Sequence, residues 1–415
     1  MTLGNLATMA FTTRPITEDE ILHFRERISQ GFGEDLGEKE RDNERFKAML
    51  PLDRTVAVLE GGQIVGTLGA FALEVIVPGG VSVPMSGTTI VTVQPTHRRE
   101  GRLNSMMRYH LDDAAARGEA LVGLWSSETP IYGRYGFGRA TSRDVAEASN
   151  DALRFTRSVE GRVRYLEPDE ANRVVPAIFD EVRQSKPGML SRSEDWWKHR
   201  IFYDPERWRE GSSAKRFVVF EADGQAEGYA IYTQKPDWED FLPNGQVRVK
   251  EVMATTERAH SGLWNFIANI DLHPRVRAWN VPTDDPLWWK LADPRRVQRK
   301  RTDALWLRIM DVPAALEART YETDGSIRIG VDDPFRPENS DVYELSASDG
   351  VGKCVAVEED ADVSLGIDSL GALYLGGNSA LTMAEAGLID GDEDRIALLH
   401  RIFHTDIEPW CDDVF

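Results

Sequence analysis

The chain has only two cysteines, Cys354 and Cys411, among 415 residues. A disulfide framework needs many more, so free thiols in a reducing cytoplasm are expected. The spacing of the two gives no metal site. No stretch approaches the ~20 consecutive apolar residues of a membrane helix, which excludes a spanning segment of that kind. Met1 to Arg14 has no basic region followed by a long apolar core, so no secretory signal is expected. Positive charge is scarce as well: 49 Lys and Arg stand against 69 Asp and Glu, a net charge of −20. A nucleic-acid binder shows the opposite footprint, and that class is set aside. The deficit is local, because from Asp303 onward roughly 25 acids face about 7 bases. An acidic surface of this kind either draws in cationic substrates or is simply solvated. Both readings stay open.

What is present is a folded composition, 41% hydrophobic and 28% charged, long enough for two to four domains at about 150 residues each. From about Arg54 to Gly138 the chain reads as an α/β unit. Thr55–Leu59 and Ile64–Phe71 are strands joined by a Glu60-Gly-Gly-Gln turn, and Thr88–Val93 is a β-branched strand. Leu103, Met106, Met107, His110 and Leu111 recur at helical spacing, and Ala120–Trp125 is the next buried strand. The plan repeats further on. Gly62-Gln63-x-x-Gly66 returns as Gly224-Gln225-x-x-Gly228, followed by a strand at Val247–Met253 and a helix opening at Gly262. Divergent duplication explains the repeat better than convergence, since loop, strand and helix follow in the same order. Asp293–Thr302, charged and polar, is expected to be a linker, and beyond it lies a small acidic α+β unit.

Two passages carry chemistry. In Val91-Thr-Val93-Gln-Pro-Thr-His-Arg98-Arg99-Glu-Gly101-Arg-Leu103 a strand ends, a basic loop follows and a helix begins. Free N–H groups at the helix start, with Arg98 and Arg99 beside them, suit a pyrophosphate, and Gly101 lets the backbone approach it. The alternative is a solvated basic turn. The second passage, Trp125-Ser-Ser127-Glu-Thr-Pro-Ile-Tyr132-Gly-Arg-Tyr-Gly-Phe-Gly138, alternates glycine with aromatics just after a buried strand. A tyrosine there can protonate a thiolate leaving group. The alternative is an aromatic–glycine turn that only packs.

Together the basic loop and the Ile-Tyr-Gly-Arg-Tyr-Gly-Phe-Gly string resemble the GNAT acetyltransferases of the Eis (enhanced intracellular survival) family, over almost the full chain. The resemblance implies tandem GNAT-like α/β domains followed by a sterol-carrier-protein-like α+β domain. These would be a catalytic domain at 1–150, a degenerate one at 151–300 and the third at 301–415. It implies acetyl-CoA as cosubstrate, with Val91 and Val93 offering backbone groups to the pantetheine arm and Arg98, Arg99 and Gly101 binding the pyrophosphate. Ser127 would sit near the thioester, Tyr132 would be the general acid, and the terminal carboxylate of Phe415 the general base. An α-carboxyl titrates at about 3.3–3.7 and is a weak base, so burial beside the substrate or a water relay is required.

The resemblance further implies acetyl transfer to primary amines of cationic acceptors such as aminoglycosides, at several positions, in a hexamer; a cytoplasmic protein without metal, membrane or nucleic-acid partner is expected. Two rivals are a GNAT acting on protein lysine or a metabolite amine, and an apolar-ligand binder with a vestigial GNAT part. The second unit reads Thr255-Thr-Glu-Arg258-Ala-His-Ser-Gly262 where the basic loop should be, so it is expected to have lost CoA and to wall the substrate pocket. Trp196-Trp197 either lines a pocket or packs a helix. His97 is expected to be an exposed loop residue. Glu34 and Asp35 lie where the family places a loop flanking the substrate, and Cys411 lies near the terminus without marks of a nucleophile.

Overall fold

The computed structural model describes residues 11–37 and 43–415; the first ten residues of the N-terminal reading lie outside the described set. Three sheets organise the chain. The first begins with β1 (Thr12–Arg14), β2 (Thr55–Glu60), β3 (Gln63–Val77), β4 (Val81–Val93) and β5 (Leu121–Trp125). The β2–β3 turn has left-handed Gly61 and Gly62 at φ +56° and +78°, matching the twist of the flanking strands. Helix α1 (Ile21–Gly31), the short α2 (Glu44–Met49) and α3 (Arg102–Ala116) flank this sheet, and α3 makes the crossover that sets β5 parallel to β4. Met106, Met107, His110, Leu111 and Ala114 of α3 are buried. They meet Val58, Val65 and Leu68 on one face of the sheet. The other face, with Phe71, Leu73, Val75 and Met85, continues into the core of the third unit. With both faces covered, β3 reads as a near-continuous apolar run.

After β6 (Gly138–Arg139) the chain enters the second sheet as β7 (Ser142–Ser149), followed by β8 (Arg162–Tyr165), β9 (Arg216–Ala222) and β10 (Gln225–Lys235). A small ribbon, β11 (Trp238–Glu239) and β12 (Leu242–Pro243), precedes β13 (Gln246–Ala254), β14 (Arg275–Val281) and β15 (Gln298–Asp303). Then β16 (Leu305–Ile309) returns to the first sheet, where it lies between β5 and β6, antiparallel to β5 with Leu305 opposite Trp125. Sequence position and sheet membership therefore part at two places. Ser142–Ser149 pairs in the second sheet, between β14 and β15, and Leu305–Ile309 pairs in the first.

The expected linker at Asp293–Thr302 is corrected: its second half, from Gln298, is the edge strand β15, paired with β7. An edge strand tolerates charge along its open side. Its arginines are also engaged, with Arg299 at 3.0 Å and Arg301 at 3.3 Å from the buried Asp144 carboxylate. Trp196 and Trp197 resolve as packing, edge-on to Phe71 at 5.2 Å and to Phe179 at 5.3 Å.

The duplication is visible in irregularities as well as in strand order. A bulge interrupts β3 before Gly66 and β10 before Gly228, and a second interrupts the end of β4 and of β13. At the end of each last strand the same backbone bond recurs, Gln94 N–H to Val65 C=O at 2.9 Å and Thr255 N–H to Glu227 C=O at 2.8 Å.

The third sheet, of β17 (Gly325–Asp332), β18 (Asp341–Ser348), β19 (Val351–Val357), β20 (Val363–Gly366) and β21 (Ile389–Gly391), docks on the first through a fully buried ion pair. Arg308 of β16 reaches Asp333 at 2.5 Å and also donates to the Tyr135 carbonyl. Gly136, at φ +80°, leaves the room that this guanidinium fills. Gly138 and Gly371 let the helix Ile367–Leu373 lie backbone to backbone on β6 and β16. Replacing Asp333 by Ala strands the Arg308 charge in the core. A loss of about 3–5 kcal/mol in denaturant unfolding is expected, and a loss under about 1 kcal/mol would show the pair to be dispensable.

Candidate active site

Strands β4 and β5 pair only from Met85–Thr88 against Leu121–Leu124, and beyond that they diverge. The cause is the bulge in β4. Ile90 sits there at φ +49°, a conformation that a β-branched residue rarely adopts. Its side chain lies over Gly69, where a Cβ would come within 2.9 Å of Ile90 and 2.8 Å of Leu50. The divergence opens a cleft of about 1160 Å³. Val91, Val93, Arg98, Arg99, Gly101, Ser127, Tyr132 and Phe415 all line it, although they come from both ends of the chain.

At one end of the cleft stands the N-terminus of α3. Gly101 precedes it at φ +83° and no side chain caps it. Its first N–H groups therefore face the cleft with the positive end of the helix dipole behind them. Arg98 and Arg99 are exposed beside it, and Arg98 Nε donates to the Val93 carbonyl at 3.1 Å. The third arginine of the loop behaves differently. Arg102 is buried and ion-paired with Glu60 and Glu100, and it donates to the His97 carbonyl at 2.9 Å, which pins the loop. Sequence reasoning passed over it; an acid at the end of the β2 hairpin was the available signal. His97 is half-buried and lines the cleft, its Nδ1 2.7 Å from Thr96 Oγ1.

At the centre, Ser126 Oγ is buried on the cleft wall without a partner among the described residues. Tyr132 is buried too, edge-on to Phe137 at 6.1 Å. Burial, reinforced by the Glu128 carboxylate, pushes its phenol up to about 12. The far wall comes from the second unit: Arg143 of β7 is stacked between Trp125 and Trp279, at 5.2 and 4.6 Å from their ring centres. Glu34 and Asp35 are exposed beyond Gly31 and Phe32, which do line the cleft.

Phe415 enters from the sheet face opposite α3. Its ring covers Gly87, where a Cβ would lie 3.1 Å away. Asn280 of β14 holds the preceding stretch by donating to the carbonyls of Cys411 at 3.1 Å and Asp412 at 3.0 Å. Cys411 is fully buried beside Trp125, and burial raises its thiol well above the usual range, so it is inert.

The corresponding place in the second unit is closed. Thr256 caps the helix Glu257–Ala268 by accepting from Ala259 N–H at 3.2 Å. Arg258 is ion-paired with Glu227 and with Asp223 at 2.9 Å. No free donor set remains there like that of α3. In the first unit, uncapped amides, two exposed arginines and an orphaned buried hydroxyl fit a polyanion with an amide-bearing arm.

Family models described as Acetyltransferase (GNAT) domain match residues 12–140 and 188–309, and one described as Sterol carrier protein domain matches 312–412. An uncharacterized N-acetyltransferase of Streptomyces avermitilis is 36% identical over 406 residues, 97% of this chain and 99% of its own length. N-acetyltransferase Eis of Mycobacterium tuberculosis is 32% identical, covering 87% of this chain and 89% of the relative. The crystal structure of Eis1 from Mycobacterium abscessus superposes with a TM-score of 0.84 over 97% of this chain and 100% of that one, at 26% identity. The chain thus belongs to the Eis-type GNAT N-acetyltransferases, with two GNAT domains followed by a sterol-carrier-like domain.

Proposed function

We propose that the β4–β5 cleft binds acetyl-CoA and transfers its acetyl group to the primary amine of a small cationic acceptor. The observation that carries this reading is the meeting of the eight residues in one cleft, at an uncapped helix N-terminus. Arg98, Arg99 and the amides after Gly101 hold the pyrophosphate. The backbone of Val91 and Val93 aligns the pantetheine arm, and Ser127, next to the orphaned Ser126 hydroxyl, sits near the thioester. Much of the rate comes from holding amine and thioester in attack geometry. The Phe415 carboxylate accepts the proton that the attacking amine must lose, and Tyr132 returns a proton to the departing thiolate.

Aminoglycosides, acetylated at more than one position, are the acceptors this reading takes first, and a cytoplasmic hexamer goes with it. Among the described residues no helix is long and apolar enough to cross a membrane. The apolar-binder rival is weakened by what fills the third unit. Arg319 is buried there, donates to the carbonyls of Tyr374 and Phe403, and stacks on the rings of Tyr321 and Phe403. Thiol release from acetyl-CoA, measured across aminoglycosides, polyamines and lysine peptides, tests the whole reading; no release with any amine overturns it.

Four sharper outcomes are expected. Tyr132→Phe lowers kcat by about 10²-fold or more while CoA affinity holds; an unchanged rate removes Tyr132 from the mechanism. Because its phenol stays protonated up to about 12, the wild-type rate shows no alkaline loss from this group through pH 10. An enzyme extended beyond Phe415 loses turnover but still binds CoA, and full activity of the extended chain excludes the terminal carboxylate as base. Calorimetric titration gives one CoA per chain, since the second unit's helix is capped; two per chain would contradict that.

A further inference from the structure

The segment that brings Phe415 to the cleft is held by polar bonds rather than by apolar packing alone. Trp410 N–H donates to the Pro187 carbonyl at 2.8 Å, and its indole donates to Asn280 at 2.9 Å. Asp412 and Asp413 are both buried. One side chain gathers them: the Arg192 guanidinium, 1% exposed. Its Nε lies 2.7 Å from Asp413, and its Nη2 lies 3.1 Å from Asp412 and 2.5 Å from Glu251. Nη1 takes the other Glu251 oxygen at 3.2 Å, and the flat face of the group sits 3.9 Å from the Phe179 ring centre. Tyr229 donates to Glu251, and Leu190 N–H to Asp412 at 3.3 Å. One residue from the end, the Val414 carbonyl accepts from Arg200.

A buried ion cluster is a poor device for stability alone, because desolvation offsets most of its attraction. What it supplies is direction, since a planar fork bonded on three sides fixes the groups it holds. Glu251 also occupies a telling register position. Counting back from Val93 opposite Gly66 and from Ala254 opposite Gly228, Glu251 of β13 corresponds to Ile90 of β4. Where the first unit has Ile90 in the bulge that opens its cleft, the second has the carboxylate that orients Arg192, one residue past its own bulge at Lys250.

We propose that Arg192 is the positioning residue for the terminal carboxylate: it clamps Asp412 and Asp413 to Glu251 and so fixes where Phe415 enters the cleft of the first unit. The inference rests on the reading of Phe415 as the base. The degenerate unit is then the jig that holds the catalytic terminus of the chain.

The test uses the full-length, untagged enzyme. Arg192→Met lowers kcat by about 10²-fold, the scale of a misplacement of roughly 1 Å, while KM for acetyl-CoA and CoA affinity stay within about twofold. Arg192→Lys, which keeps the charge but loses the fork, recovers part of the rate. In a chain extended beyond Phe415, which carries no carboxylate there, Arg192→Met leaves the residual rate unchanged. Carboxypeptidase releases Phe415 faster from the Arg192→Met enzyme than from wild type. If Arg192→Met does not fold, Asp413→Ala, which removes one bond of the clamp, replaces it in each measurement.

Extension beyond Phe415 with no loss of rate overturns the base reading, and the carboxypeptidase rates then decide alone whether Arg192 holds the tail. The positioning role is overturned by full activity of Arg192→Met when the extended chain is inactive. It is equally overturned if the substitution lowers the residual rate of the extended chain by the same factor as in the untagged one.

Discussion

The contact between Arg308 and Asp333 ties together three parts of the molecule that are far apart in sequence. Arg308 belongs to β16, a strand that the first sheet takes back from far along the chain. Asp333 follows β17 of the third unit, and the same guanidinium holds the Tyr135 carbonyl, three residues after Tyr132. Because both charges are fully buried, neither can be left alone without a large desolvation cost. The aromatic turn carrying Tyr132 is therefore fixed by the docking of the third unit. That gives the glycines of the turn a physical meaning: Gly136 makes room for Arg308, and Gly138 lets a helix backbone approach.

The two GNAT units show how one plan diverges into two tasks. Both keep the hairpin, the bulges and the crossover helix. In the first, the helix N-terminus is uncapped and the neighbouring arginines are exposed. In the second, Thr256 and the ion-paired Arg258 satisfy that end internally, while Asn280, Glu251 and Arg192 turn toward the chain terminus. Trp125 and Trp279, each one residue past the last parallel pair of β5 and of β14, meet across the junction with Arg143 between them.

Much of this was legible where the signal is local. The Gly61-Gly62 turn, the alternating strands and the apolar stripe of α3 all read directly from short windows of sequence. The eight cleft residues came instead through the family resemblance, seven of them carried by the strand–loop–helix passage and the aromatic–glycine string and Phe415 by neither. What could not be read is what depends on distant partners. Gln298–Asp303 resembles a linker because an edge strand needs little apolar character. Leu305–Ile309 gives no sign that it pairs with Leu121–Trp125. Arg102 and Arg192 look like any other arginine until Glu60 and the terminal aspartates come into contact with them.

The exchange of β7 and β16 between the first two sheets has a consequence for how the chain is made. At synthesis rates of about 5–20 residues per second, roughly 180 residues separate β5 from the strand that covers its edge, so β5 waits on the order of ten seconds or more. During that interval Leu121-Val-Gly-Leu-Trp125, apolar and open to pairing, is what the ribosome presents. The nascent first unit therefore emerges with a temporary edge that only the later part of the same chain can close.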